Sequence, residues 1–136
     1  MQDTAAENIQ FTITASALYN IYNVAKSGSS INGFFEAVFS AVPAINSNVP
    51  KPINWNGSYN LRFQTFGYTE GNPFNMQEGT SVSIGCGICR GTTTAPSIDI
   101  AYIGLYYDGE KTYLGGITTL STTDTKVSCC INYNFQ

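Results

Sequence analysis

The chain has 136 residues, of which 11% are charged, with a net charge of −3. One domain of that length buries roughly two thirds of the surface its unfolded chain exposes, so it folds without obligatory disulfides or metals. Its six basic residues are scattered, which excludes the clustered Lys/Arg contacts of nucleic-acid binding and disfavours an electrostatic grip on anionic lipid.

The N-terminus, residues 1–7, has neither a basic nor an apolar run and does not read as a signal peptide. Residues 9–17 alternate Phe11, Ile13 and Ala15 with Gln10, Thr12 and Thr14, as a half-buried strand does. The alternation breaks at Leu18, Tyr19, Ile21 and Tyr22, which read as a helical turn or irregular segment. Residues 26–30 (Lys-Ser-Gly-Ser-Ser) are a loop.

Beyond it the apolar period changes. Phe34, Phe35, Val38, Phe39 and Val42 fall on one helical face, Ser30 suits an N-cap, and Pro43 suits a stop. A short amphipathic α-helix is therefore expected over residues 31–42. Residues 46–52 form a loop with two prolines.

The remainder reads as strands. Residues 59–68 alternate around Leu61 and Phe63, and a Gly/Asn/Pro loop follows over 70–79. Residues 80–88 set Val82, Ile84, Cys86 and Ile88 against Ser81, Ser83, Gly85 and Gly87. Residues 98–107 are almost continuously apolar, as in a central strand buried on both faces. Asp108-Gly109 marks a hairpin, so residues 110–114 return antiparallel. Residues 117–120 make a short strand, and 126–135 alternate Val127, Cys129, Ile131, Tyr133 and Phe135. The expected fold is mainly β: a single antiparallel β-sandwich, jelly-roll or Ig-like, over residues 1–136. No run of about 20 apolar residues is present, so no transmembrane helix is expected.

Four cysteines stand in two tight pairs, Cys86/Cys89 and Cys129/Cys130. The C-x-x-C spacing matches redox sites, but those place the first cysteine at a helix N-terminus, and here it lies in a strand pattern. Zinc fits no better: adjacent Cys129 and Cys130 do not easily turn both sulfurs to one metal, and no histidine completes a set. The structural reading is disulfides between neighbouring strands. Side-chain alternation pairs Cys86 with Cys129 and Cys89 with Cys130, with a bulge at Gly85 or Gly87 reconciling the registers. Four buried thiols are the alternative.

Asn56-Gly57-Ser58 matches a glycosylation sequon and equally a turn. Beside it stand Trp55, the single tryptophan, and Tyr59. Both suit a core or rim position, a platform for stacking a sugar ring, or an interfacial anchor. Tyr106, Tyr107 and Tyr113 flank the hairpin and supply rigid amphipathic contact area or plain cross-strand packing. The hydroxyl-rich stretches 92–94 and 118–125 suit strands wet on one side.

Catalysis is not expected. Histidine, the commonest general base and activator, is missing, and the acids are dispersed. No metal or cofactor is called for. The plan of an amphipathic N-terminal segment and a small aromatic-rich sandwich resembles small pore-forming toxins and fungal-type lectins. No motif is shared with either, and no residue role is carried over.

Two readings stand. One is a non-enzymatic binding protein that docks on glycans or lipid headgroups through Trp55, Tyr59, Tyr106, Tyr107 and Tyr113, with oligomerisation into a pore as an extension. The other is a self-assembling structural subunit (filament, coat or crystalline inclusion) cross-linked through its cysteines, since so few charges guard its strand edges. Both make a homo-oligomer. The composition points to an extracellular or surface-exposed setting.

Overall fold

A computed structural model describes residues 6–55, 62–91, 98–117 and 125–135, with backbone alone at 88–91, 98–101 and 125. Tyr59 and the 56–58 sequon lie outside the described residues, as do 92–94 and most of 118–125. The described chain is all β: β1 (Glu7–Asn8), β2 (Thr12–Ile13), β3 (Ala17–Ser27), β4 (Ser30–Phe39), β5 (Ile45–Asn46), β6 (Phe63–Glu70), β7 (Thr80–Gly91), β8 (Ile98–Tyr107), β9 (Lys111–Gly116) and β10 (Thr125–Asn134).

These strands make one antiparallel sheet in the order β1-β3-β4-β10-β7-β8-β9-β6-β2, with β5 also on β6. It is a single continuous sheet, curled into a half-barrel, rather than the two packed sheets expected of a sandwich. The N-terminal segment spans the open side. It pairs with β3 at Glu7 and Asn8, then with β6 at Thr12 and Ile13. Between these contacts the Phe11 backbone N–H donates to the Tyr22 hydroxyl, which itself donates to the Phe11 carbonyl.

The helix expected over residues 31–42 is not formed: all of this stretch up to Phe39 belongs to β4, hydrogen-bonded to β3 on one side and β10 on the other. The reason lies in its composition. Paired apolar positions such as Phe34/Phe35 and Val38/Phe39 satisfy a helical face, and equally a strand with apolar residues on both faces. Phe35, Ala37 and Phe39 are buried in the main core, whereas Phe34 is exposed. Aromatic and β-branched residues favour the strand, and Gly33 weakens a helix. The preceding loop becomes a tight hairpin, Gly28-Ser29, between the paired Ser27 and Ser30. Leu18 to Tyr22, read as irregular, belong to β3.

The inward face collects Ile31, Phe35, Phe39, Phe66, Val82, Ile84, Ile103, Leu105, Leu114, Val127, Cys129 and Ile131 into the main core. Glycine lets the sheet bend inward. A Cβ on Gly33 would run into the Asn23 carbonyl oxygen, and one on Gly87 into that of Ser128. Side-chain-free positions of this kind mark close backbone approach. No described helix is long and apolar enough to cross a membrane.

Candidate functional site

A second, smaller cluster lies on the convex face. The 43–55 loop folds over β6, β8 and β9, so that Val49, Phe63 and Ile117 are buried with Trp55, Tyr102, Tyr106 and Tyr113 packed around them. Hydrogen bonds hold the loop to the start of β7, residues 80–84, where β10 is not paired with it. The Ser81 hydroxyl donates to the Pro50 carbonyl at 2.6 Å, and the Ile53 N–H donates to the Ser81 carbonyl at 3.1 Å. The Asn54 amide behaves as a strand partner for Ser83, donating to its carbonyl at 2.8 Å and accepting from its N–H at 2.9 Å. Residue 55 is thereby set in place by its neighbour.

Trp55 meets Tyr102 edge-to-face with centroids 4.5 Å apart. Tyr106 lies directly across from Tyr113, which lies directly across from Tyr68, and each pair has ring centroids 6.3 Å apart. Lys111 places its ammonium 5.0 Å from the Tyr68 ring centre, within cation–π range. The result is a band of half-buried aromatic rings with hydroxyl tips across β8, β9 and β6.

Asp108 sits at one end of this band. Its carboxylate accepts the N–H groups of Glu110 and Lys111, each at 2.8 Å. The Lys111 N–H is the main cause holding the carboxyl below its ordinary range, and Tyr113 also bonds to it. Tyr113 is correspondingly raised, by burial first and by the Asp108 charge second.

Beside Tyr102 the convex face opens into a shallow depression of about 350 Å³, lined by Ser83, Cys86, Tyr102, Cys130 and Asn132 among others, none of them charged. A larger cavity of about 510 Å³ adjoins it, sharing Tyr133, and lies between the Gly28-Ser29 turn, Ile53, Phe74 and Phe135. There, Phe74 stacks on Phe135 and Tyr133 meets Phe135 edge-on.

The structure brings three of the expected aromatics together: Trp55, Tyr106 and Tyr113. Tyr107 is not part of this band: it is half-buried and packs against the main core, in alternation with Tyr106. Tyr102 and Tyr68 were missed. Tyr102 keeps step with Tyr106 on the same strand, a signal hidden by the continuously apolar run. Tyr68 is brought in only by the β6–β9 register.

The cysteine pairing also needs correcting. Cys130 lies directly across from Cys86, whereas Cys129 faces Gly87 and Cys89 faces Val127. The expected pairs, Cys86–Cys129 and Cys89–Cys130, are not opposed. A bulge between Ser83 and Gly85 is the reason: it shifts the alternation by one residue. Val82 and Ile84 are buried but Cys86 emerges exposed. Cys129 keeps its inward position and is 2% exposed. Burial pushes its thiol up to about 12, with the neighbouring Cys86 and Cys130 adding to the rise. Cys86, Cys129 and Cys130 are free thiols, and the described residues hold no group of three or more metal-ligating side chains.

Compared with protein-family models, with curated proteins and with solved structures, the chain has no match.

Proposed function

We propose that this protein is a non-enzymatic binding module that docks on neutral glycans through its convex face. One observation carries the reading: Tyr102, with Trp55 against it, walls an open and uncharged depression that offers hydroxyl and amide groups from Ser83 and Asn132. Sugar rings present an apolar face of C–H groups and a rim of hydroxyls. An aromatic wall beside neutral hydrogen-bonding groups suits both. A charged lipid headgroup would call for a cation, and the lining supplies none. The rest of the band, Tyr106, Tyr113 and Tyr68, extends the surface for a longer chain of sugars. Rigid tyrosines add contact area at low entropic cost. Nothing in this arrangement calls for a cofactor or a catalytic step, and an extracellular or surface-exposed setting suits such a ligand.

The test is a glycan array probed with labelled protein, followed by titration of any hit against Trp55 fluorescence. Saturable binding that shifts the emission and falls at least tenfold in W55A and Y102A supports the reading. Binding indifferent to both variants, no glycan bound, or binding to zwitterionic liposomes instead would overturn it.

A second reading, self-assembly into a homo-oligomer, is favoured by the β3 edge. Residues 17–23 have no strand partner on the side away from β4 among the described residues. There Leu18 is 67%, Tyr19 41% and Ile21 53% exposed. No charged residue occurs from Ile9 to Ala25, so this edge lacks the usual guard against pairing with another strand. Light scattering over a concentration series separates the readings: a monomer throughout removes this one.

A further inference from the structure

We propose that Cys86 and Cys130 are a disulfide-forming site: a low-molecular-weight disulfide such as oxidised glutathione converts them into a bridge between β7 and β10. This inference does not depend on the glycan reading, although both cysteines line the depression which that reading uses; it rests on register and exposure. The two residues are direct partners in an antiparallel ladder. Opposed residues in such a ladder have Cα atoms about 4.5 or 5.5 Å apart, according to their place in the hydrogen-bond pattern. Both values lie within the roughly 4.4–6.8 Å that disulfides span. Direct opposition also puts the two side chains on the same face. Both residues are exposed free thiols, and both line the same convex depression, so an oxidant reaches them from solvent.

The other cysteines are placed unfavourably. Cys129 follows the opposite alternation from its neighbour Cys130 and is buried in the core across from Gly87. Cys89 lies across from Val127. In an unbroken strand Cys86 would have shared the inward face with Cys129. The bulge at Ser83–Gly85 turns it outward to meet Cys130 instead.

The exchange balances without any further reactant. The thiolate of one cysteine attacks a sulfur of oxidised glutathione, forming a mixed disulfide and expelling one glutathione thiolate. The thiolate of the second cysteine attacks the protein sulfur of that mixed disulfide and expels the other. The two cysteines lose two electrons and two protons, and the two glutathione molecules leave as thiols.

The experiment equilibrates the full chain in glutathione buffers from fully reduced to fully oxidised and blocks remaining thiols with iodoacetamide. Intact mass and peptide mapping without reduction then locate the bridge. The expected product is a monomer with one bridge joining the Cys86 and Cys130 peptides. It is lost in C86S and in C130S, both exposed sites, and retained in C89S. Its thermal midpoint is several degrees above that of the reduced form, because the bridge restricts the unfolded chain. Four alkylated thiols under full oxidation, a bridge to Cys89 or Cys129, a lasting glutathione adduct, or covalent dimers would each overturn the proposal.

Discussion

Phe35 on β4 and Phe66 on β6 stack with ring centroids 5.1 Å apart and planes 7° from parallel, although four strands of the sheet lie between theirs. In a flat sheet, five strand spacings would hold them about 24 Å apart. Their contact therefore measures how far the sheet has rolled, and Phe39 reaches the same Phe66 ring at 4.8 Å. Both rings of the stack are fully buried.

Replacing either Phe35 or Phe66 by Ala should cost about 3–5 kcal/mol, the range for truncating a buried aromatic. Chemical denaturation of each variant and of the double variant checks this. The double should cost less than the sum of the singles, because the two rings contact each other.

The glycine at position 33 should not tolerate a side chain. G33A pushes a methyl into the Asn23 carbonyl, which is backbone and gives little. A loss of about 3 kcal/mol is expected, at the upper end for overpacking. G28A is the control. It meets nothing within 4 Å, so its cost comes only from the turn conformation at φ 62°. Thermal melts of the two variants should rank G33A well below G28A.

Asp108 ties stability to pH. Its carboxyl is lowered by the N–H groups it accepts, so the folded state binds its proton less readily than the unfolded chain does. Its contribution is fully present above the unfolded value of about 3.9 and is lost as pH falls through the lowered folded value. D108N keeps an oxygen to accept the turn N–H groups but carries no charge. It should be less stable than the wild type at pH 7 and closer to it at pH 2. Urea midpoints at the two pH values test the convergence.

Asn54 should govern the setting of Trp55. N54A removes both side-chain bonds to Ser83, and a loss of about 1–3 kcal/mol is expected. The lone tryptophan reports the local effect directly. Its emission should move to longer wavelength in N54A while the β-rich circular dichroism is kept. An unchanged spectrum would mean that the ring is held without the clamp.

Thiol accessibility should divide the cysteines. In the native protein at pH 8, iodoacetamide should modify Cys86 and Cys130, whereas Cys129 stays unmodified, since its thiol is raised to about 12 and buried. Under denaturant Cys129 should react at an ordinary rate. Time-resolved mass mapping checks both halves.

Much of this architecture was legible in the residues. The alternation over 126–135 placed β10 and its inward set, and the Asp108-Gly109 signal placed the β8–β9 hairpin. The apolar run over 98–107 marked a central strand, as β8 is, but not one buried on both faces: Tyr102 and Tyr106 on its convex side are half-buried. These features are local: period, turn chemistry and propensity act over a few residues.

Tertiary structure decided the rest. Residues 31–42 carry a pattern that serves helix and strand alike, and pairing of the stretch up to Phe39 with both β3 and β10 settled it. A bulge of one residue at Ser83–Gly85 turned Cys86 from the core face to the convex face and gave it Cys130 as partner. Rolling of the sheet brought Phe35 to Phe66, and the folded-back 43–55 loop brought Trp55 to Tyr102. Each of these depends on contacts between residues distant in the chain. The sequence by itself determined an aromatic, sparsely charged β-rich chain with a net charge of −3. Register and curvature, which no local pattern encodes, determined which side chains meet.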